Sequence, residues 1–244
     1  MSGHSKWHNI QKTKGAADAK RAQAFTKIAR EMIVAVKEGG GGDPRSNSRL
    51  AAVIAKAKAA NMPNDNIKRT IDKALGAGNT ENYEKVVYEG YGPQGVAVIV
   101  ESITDNRNRT AADIRHYFDK CGGNMGTTGC VSFMFADKGV IVVDGKSVAD
   151  EDRFMEDVME CGAIDFTGDD GIFEVFTDPS ELSGVRDALA AKGYVFLSAE
   201  PEKIPNTYVR LDDEEQRAKM SKLLGLLEDN DDVQNVWHNW EDDE

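Results

Sequence analysis

Several features that would point to a particular class of protein are scarce or missing from this sequence. Its 244 residues include three cysteines, an odd number with no CxxC spacing, which argues against a disulfide framework and against a zinc site. The longest apolar runs, such as residues 96–100, are far too short to span a bilayer, and the chain does not start with the apolar segment of a signal peptide. These absences predict a protein of the reducing cytoplasm that binds neither a membrane nor a metal ion.

Residue combinations typical of catalysis are also missing. The four histidines form no HExxH or HxH motif, and no G-x-S-x-G sequence occurs. Residues 90–95 match GxGxxG by their letters, but a predicted strand follows them instead of a helix, which excludes a dinucleotide fingerprint. The Gly/Thr-rich residues 122–129 lack the lysine of a phosphate-binding loop and are interpreted as a connector or contact loop. We therefore predict that the protein is not an enzyme and uses no cofactor.

Charge is distributed unevenly along the chain. The composition, with 40% hydrophobic and 30% charged residues, is that of a globular protein, and the formal net charge is -12. Residues 1–80 nevertheless contain 15 Lys and Arg against 6 Asp and Glu, a balance of +9. Residues 81–244 contain 15 Lys and Arg against 36 Asp and Glu, a balance of -21. This asymmetry indicates one segment that attracts phosphate groups and a remainder that repels them.

The first third of the chain has the apolar spacing of three helices. A stripe at i, i+3, i+4 and i+7 predicts a helix over residues 25–36, and the four glycines 39–42 should end it. A second helix should end at Asn61, and a third should begin at residues 63–65. The residues of these two helices that we predict to face the core are Leu50, Val53, Ile54, Ala57, Ile67, Ile71 and Leu75.

After residue 81 the periodicity changes to that of strands. The pattern predicts strands at 86–89, 96–103 and 130–135, with a helix over 108–120. Residues 136–204 read as strand 140–143, helix 150–160, strands 164–167 and 172–177, helix 179–192 and strand 194–199, which is the βαββαβ order of a ferredoxin-like fold. The tail adds a strand at 208–211, a helix over 213–227 and a strand at 233–240.

The predicted fold class is therefore α+β, with an N-terminal three-helix domain and two α/β-sandwich domains. The ferredoxin-like domain is inserted in the domain that precedes it. We predict a basic helical nucleic-acid-binding domain at residues 1–80, an α+β domain formed by residues 81–135 and 205–244, and the inserted domain at residues 136–204.

The basic first third contains the cluster of residues that is most informative about function. Lysines and arginines neutralise phosphates, and planar rings stack on unpaired bases, as recognition of single-stranded or loop RNA requires. A solvated helix face with a free tail is the alternative, although such faces normally interleave both signs of charge. The candidate nucleic-acid-binding residues are His4, Lys6, Trp7, His8, Lys12, Lys14, Lys20, Arg21, Lys27 and Arg30.

A second cluster lies where a predicted strand meets a predicted helix. Arginines at a helix N-terminus oppose the helix dipole unless an anion is present, and with free N–H groups they can form an anion site. Ion pairs of Arg107 and Arg109 with Asp105, Glu101 or Asp113 are an alternative that is at least as well supported. The residues of this possible second contact are Asn106, Arg107, Asn108, Arg109 and Thr110.

Seven motifs resemble those of a known protein family. They are SGHSKWHNI (2–10), DAKR (18–21), FTKIARE (25–31), KAKAANMP (56–63), YEGYGP (88–93), TDNRNRT (104–110) and VSFMF (131–135). The family is the YebC family of YebC/PmpR-type probable transcriptional regulatory proteins, which is related to the mitochondrial translational activator of cytochrome c oxidase. The resemblance runs essentially from end to end. It implies a three-helix domain followed by two α+β domains, one inserted in the other, and no enzymatic activity.

The resemblance also implies a choice between two functions. Family members are traditionally described as DNA-binding transcriptional regulators, whereas the mitochondrial and some bacterial members point to translation on the ribosome, including relief of stalling at proline runs. We expect a monomeric translation factor that binds the ribosome and rRNA, tRNA or mRNA, with DNA-binding regulation as the alternative. A protein–protein module with a basic tether is a third hypothesis. Because the family motif begins at Ser2, we expect no transit peptide and a bacterial cytoplasmic location.

Overall fold

The computed structural model describes residues 17–76, 82–169 and 171–241. In chain order its helices are α1 (Ala17–Glu38), α2 (Ser48–Ala59), α3 (Asn64–Leu75), α4 (Arg107–Lys120), α5 (Glu151–Glu160), α6 (Leu182–Ala191) and α7 (Glu214–Glu228). Its strands are β1 (Glu84–Tyr91), β2 (Ala97–Thr104), β3 (Asn124–Met125), β4 (Phe135–Asp144), β5 (Asp165–Asp169), β6 (Ile172–Thr177), β7 (Phe196–Pro205), β8 (Val209–Arg210), β9 (Val233–His238) and β10 (Trp240–Glu241). This order confirms the predicted α+β class.

Helices α1, α2 and α3 pack around one hydrophobic core. Gly40 and Gly41 follow α1 with positive φ angles of 83° and 133°, a conformation that ends the helix and that residues with a Cβ rarely adopt. The buried core residues are Ile28, Met32, Ile33, Ala35, Val36, Leu50, Val53, Ala57, Met62, Ile67 and Ala74. Leu75 was predicted to face this core but is 55% exposed, because it is the last residue of α3 and Ala74 is buried beside it.

A four-stranded antiparallel sheet in the order β3-β1-β2-β9 follows the helices. Valines 86, 98 and 100 alternate along β1 and β2, so they share the face on which Phe118 of α4 and Leu223 of α7 are buried. Strands β8 and β10 form a separate parallel pair. Residues 92–95 of the GxGxxG-like sequence form the turn between β1 and β2, where Gln94 and Gly95 have positive φ angles, and a strand follows them as predicted.

The predicted strand over residues 130–135 is wrong. Residues 132–134 form a single 3₁₀ turn, and the strand begins only at Phe135. The buried carboxylate of Glu89 accepts hydrogen bonds from the backbone N–H groups of Gly129, Val131 and Ser132 at 2.8–2.9 Å. These donors are therefore not available to a strand ladder. The connector predicted for residues 122–129 also contains a short strand, since β3 pairs with Gly90 and Tyr91 of β1.

The βαββαβ prediction for the inserted segment is confirmed. Strands β4 to β7 form an antiparallel sheet in the order β5-β6-β4-β7, and helices α5 and α6 share its core. Strands β4 and β7 are longer than predicted, because Phe135 pairs with Pro205 and the ladder continues through Gly139, which pairs with Pro201. This extension is rich in charged residues, so its apolar periodicity is weak.

The described residues form two compact units, one within Met134–Asn206 and one within Thr13–Phe133 and Thr207–Glu244. The division into three domains with the boundaries given above stays a prediction. Nowhere in the described residues is there a helix long and apolar enough to cross a bilayer.

Candidate nucleic-acid interface

The basic cluster predicted from the sequence lies partly on helix α1. Lys20, Arg21, Lys27 and Arg30 are on this helix. Lys20 and Arg21 are exposed, whereas Lys27 and Arg30 are partly buried. The other members of the cluster, His4, Lys6, Trp7, His8, Lys12 and Lys14, lie outside the described residues.

One face of α1 is occupied by a contact with the end of helix α7. Gln23, Lys27 and Arg30 share this face because they are spaced i, i+4 and i+7. Lys27 Nζ donates to the carbonyl of Glu228 at 2.6 Å, and Gln23 Nε2 donates to that of Asp229 at 2.7 Å. The last carbonyls of a helix lack partners within it, and a cation there also complements the negative end of the helix dipole. This face of α1 therefore caps α7.

The buried carboxylate of Asp232 connects α1 with α4 and β2. Its Oδ1 contacts Nη1 of Arg30 at 2.6 Å, and its Oδ2 contacts Nη2 of Arg109 at 3.0 Å. The hydroxyls of Thr110 and Thr104 donate to Oδ2 at 2.7 Å and 3.2 Å. Burial raises the pKa of Asp232, but the hydrogen bonds from Thr110 and Arg109 and the positive charges of both arginines outweigh that effect, so the pKa lies below its ordinary value. Asp232 is therefore an ionised connection between these three elements.

The second predicted cluster is largely engaged in holding the start of α4. Asn106 Oδ1 accepts from the backbone N–H of Arg109 at 3.1 Å and caps the helix. Arg109 also forms an ion pair with Asp105 at 2.8 Å, as the alternative interpretation of this cluster predicted. Arg107 and Asn108 are exposed.

Further exposed cations lie on the bundle beyond the segment that the sequence singled out. Lys58, Lys68 and Arg69 are exposed and, like Lys20, have no partner within the part of the chain that the structure describes. Their signal in the sequence is weak because Asp65 and Asp72 lie within about one helical turn of Lys68 and Arg69. Sequence reasoning also missed Gln23 and Asp232, because neither belongs to a motif with local meaning.

The groups that could support catalysis or metal binding are limited in the described residues. Over residues 17–76, 82–169 and 171–241, no three or more His, Cys, Asp or Glu side chains are arranged to hold a metal ion. Burial raises the pKa of the thiols of Cys121, Cys130 and Cys161. These thiols are therefore protonated near neutral pH, which makes them weak nucleophiles.

Comparison with known proteins places these features in a family. A model of the TACO1/YebC protein N-terminal domain matches residues 5–77, and a model of the TACO1/YebC second and third domain matches residues 83–240. A protein of Ruminiclostridium cellulolyticum is 57% identical to this chain and covers 100% of it, with 98% of the relative matched. A protein of Acetivibrio thermocellus is 56% identical, with 98% of this chain and 99% of the relative matched. Both relatives carry the name "probable transcriptional regulatory protein".

A solved structure agrees with the fold described above. The crystal structure of a conserved hypothetical protein from Aquifex aeolicus matches with a TM-score of 0.87 and 43% sequence identity, and the match covers 97% of each chain. Together with the family models, which span nearly the whole chain, and the high identity of the relatives, this match confirms the resemblance inferred from the motifs. The chain belongs to the TACO1/YebC family.

Proposed function

We propose that this protein is a non-enzymatic, nucleic-acid-binding regulator of gene expression that works as a translation factor. It binds rRNA, tRNA or mRNA on the ribosome and helps elongation through sequences that are difficult to translate. The binding surface is the basic first third of the chain, the location is the cytoplasm, and the protein acts as a monomer.

The charge asymmetry is the observation that carries this proposal. Residues 1–80 have a balance of +9 within a chain whose net charge is -12. A positive surface attracts phosphate through the electrostatic term that dominates nucleic-acid binding, while the acidic remainder limits contact to one side of the molecule. Exposed Lys20, Lys58, Lys68 and Arg69 support this assignment because they have no partner within the described residues.

The contacts of α1 narrow the proposed binding surface. Lys27 and Arg30 would have to leave or share the carbonyl and carboxylate groups of α7 and Asp232 in order to bind phosphate. We therefore assign the main phosphate contacts to the cations between Lys6 and Arg21, base stacking to Trp7, and an extension to Lys58, Lys68 and Arg69. Arg107 and Asn108 form the secondary contact.

Ribosome co-sedimentation at low salt tests the proposal. The wild-type protein should pellet with 70S ribosomes, and the double variant Lys12→Glu with Arg21→Glu should lose most of this association. The variant Lys146→Glu with Arg217→Glu changes the net charge equally at exposed positions outside the bundle, so it should pellet like the wild type. Absence of wild-type binding, or equal loss in both variants, would reject the assignment.

The role in elongation is tested separately by translation in vitro. A reporter that contains a run of prolines should give more full-length product when the protein is added, and a reporter without the run should not change. A protein that binds ribosomes but leaves both reporters unchanged would lack the proposed role in elongation.

The names of the relatives favour DNA-binding transcriptional regulation as a second candidate. Titration with a promoter fragment and with random DNA of equal length, each at two salt concentrations, distinguishes the two. A regulator should prefer its site by a factor of about 10³ or more. An RNA-binding protein should show a ratio near one and an affinity for both DNAs that falls steeply with salt.

A further inference from the structure

Helix α5 in the inserted segment presents an apolar surface that its own core does not use. Phe154 and Val158 are fully buried in that core. Met155 and Met159 lie about 100° around the helix from this buried side and are 47% and 53% exposed. Ile164, which follows shortly after the helix, is 59% exposed. Methionines spaced i and i+4 form a stripe along the surface of a helix.

Carboxylates flank both sides of this methionine stripe. At 100° per residue, Glu151 lies on one side of it, and Asp152 and Glu156 lie on the other. All three side chains are exposed and have no ion-pair partner among residues 17–76, 82–169 and 171–241. The neighbouring carboxylate of Glu160, by contrast, is bound by Lys192 at 3.0 Å. The stripe is therefore surrounded by negative charge that nothing in the described structure compensates.

The inserted segment around α5 also has a negative net charge. Residues 134–206 contain 17 Asp and Glu against 6 Lys and Arg, a balance of -11. Such a field repels the phosphates of nucleic acids and of anionic lipids, and it attracts cationic protein segments. Methionine side chains are flexible and polarisable, so they pack well against the apolar face of a partner helix.

We infer that the methionine stripe of α5 binds a cationic amphipathic helix of a partner protein. The apolar face of that helix packs on Met155 and Met159, while its lysines or arginines pair with Glu151, Asp152 and Glu156. In this arrangement the apolar contact supplies affinity, and the surrounding charged pairs supply specificity. The surface is distinct from the basic bundle, so this inference does not depend on the proposed function.

The test uses the full chain and a defined probe. The probe is a synthetic 18-residue helix of leucine and lysine with its leucines spaced i, i+3, i+4 and i+7. A peptide of the same composition in scrambled order keeps the charge but has no apolar face. Methionine methyl groups labelled with ¹³C report the site by NMR, and single Met→Leu variants assign the signals. We expect the ordered peptide to shift the methyl signals of Met155 and Met159 and to leave the buried Met32 and Met220 unchanged.

Two sets of variants separate the apolar contribution from the charged one. Met155→Gln with Met159→Gln should weaken binding at least about tenfold, whereas Leu75→Gln, at an exposed apolar side chain of the bundle, should not. Glu151→Gln with Glu156→Gln should weaken binding about threefold and reduce its salt dependence. Glu214→Gln with Glu215→Gln makes the same charge change at the start of α7 and should have no effect. Thermal unfolding of each variant checks that the fold is intact.

Each other outcome would overturn the inference. Equal affinity for the scrambled peptide, or no effect of the methionine variant, would mean that charge alone attracts the peptide. Concentration-dependent shifts of the same methyl signals without peptide, with dimers in sedimentation, would assign the face to a second copy of the chain. Shifts of these signals on adding a single-stranded RNA would assign it to nucleic acid.

Discussion

Glu89 shows how a single buried carboxylate organises a loop. Its oxygens accept backbone hydrogen bonds from Gly129, Val131 and Ser132, which replace the ladder that a strand would have supplied. Burial raises the pKa of Glu89, but these three hydrogen bonds together outweigh it, so the pKa lies below its ordinary value of 4.5. Glu89 therefore stabilises the fold only while it is ionised.

Replacing Glu89 with glutamine should lower the free energy of unfolding by about 2 kcal/mol at pH 7, because a buried charge-assisted acceptor is lost. A carboxyl whose pKa is depressed in the folded state contributes stability above its unfolded pKa, here near 4.5, and loses it as the pH falls through the folded pKa. The difference in free energy of unfolding between wild type and Glu89→Gln should therefore become smaller below about pH 4.5.

Urea unfolding followed by circular dichroism at several pH values measures this difference. Glu84→Gln is the matched control, because Glu84 lies on the same strand and is exposed. It should change stability little at any pH. If the difference in free energy of unfolding between wild type and Glu89→Gln stays constant down to about pH 3, the role assigned to Glu89 would be contradicted.

The side-chain amide of Asn47 links α1 and α2, because both its oxygen and its nitrogen form hydrogen bonds. Its Oδ1 accepts from the backbone N–H of Leu50 at 3.0 Å, and its Nδ2 donates to the carbonyls of Ala35 and Gly41 at 2.8 Å and 2.9 Å. Asn47→Ala should cost about 3 kcal/mol in the free energy of unfolding, because it removes a helix cap and two further hydrogen bonds that the side-chain amide donates. Asp213→Ala, at the exposed cap of α7, should cost only about 1 kcal/mol. If Asn47→Ala and Asp213→Ala lower the free energy of unfolding equally in urea, the two hydrogen bonds donated by Asn47 do not contribute to stability.

At the scale of elements, the contact of α1 with α7 and Asp232 converts part of a basic helix face into an internal connection. Arg30 and Asp232 are both largely buried, so their attraction is poorly screened. The local periodicity of α1 correctly predicted its apolar side. It could not predict the partners of Lys27 and Arg30, because these lie about two hundred residues later in the chain.

A double-mutant cycle measures this connection. Arg30→Ala, Asp232→Ala and the double variant should give a coupling energy of about 2 kcal/mol in urea unfolding. The exposed pair Lys219 and Glu215, spaced i and i+4 on α7, is the control and should give a clearly smaller coupling. Equal couplings would mean that the buried pair adds no more than a surface ion pair does.

At the scale of the whole molecule, the first and last residues of the inserted segment lie next to each other. The backbone N–H of Asn206 donates to the carbonyl of Met134 at 2.9 Å, and Phe135 pairs with Pro205. The described residues form three hydrophobic cores, and one of them lies wholly within this segment. Adjacent ends and a separate core are the features of a segment that can fold alone.

Residues 134–206 expressed alone should therefore fold. We expect a single cooperative urea transition with a slope of about 1 kcal/mol per molar urea, measured by circular dichroism. Residues 150–206 are the control. They lack β4, which pairs with both β6 and β7, and should show no transition. A fragment 134–206 that is unfolded in buffer would refute its independence.

The sequence by itself determined the α+β class, the three helices that the structure describes over residues 17–76, the βαββαβ order of the inserted segment and the concentration of positive charge in the first third. These properties follow from local periodicity and composition, which encode which side of each element is buried. Only the tertiary structure decided that Lys27 caps α7 and that Arg30 binds Asp232. It also decided that Glu89 binds backbone N–H groups where a strand was predicted, and that Met155 and Met159 remain exposed. Those outcomes depend on which distant elements meet, and the physical cause is that a buried charge or N–H group takes whichever partner the packing brings within hydrogen-bonding distance.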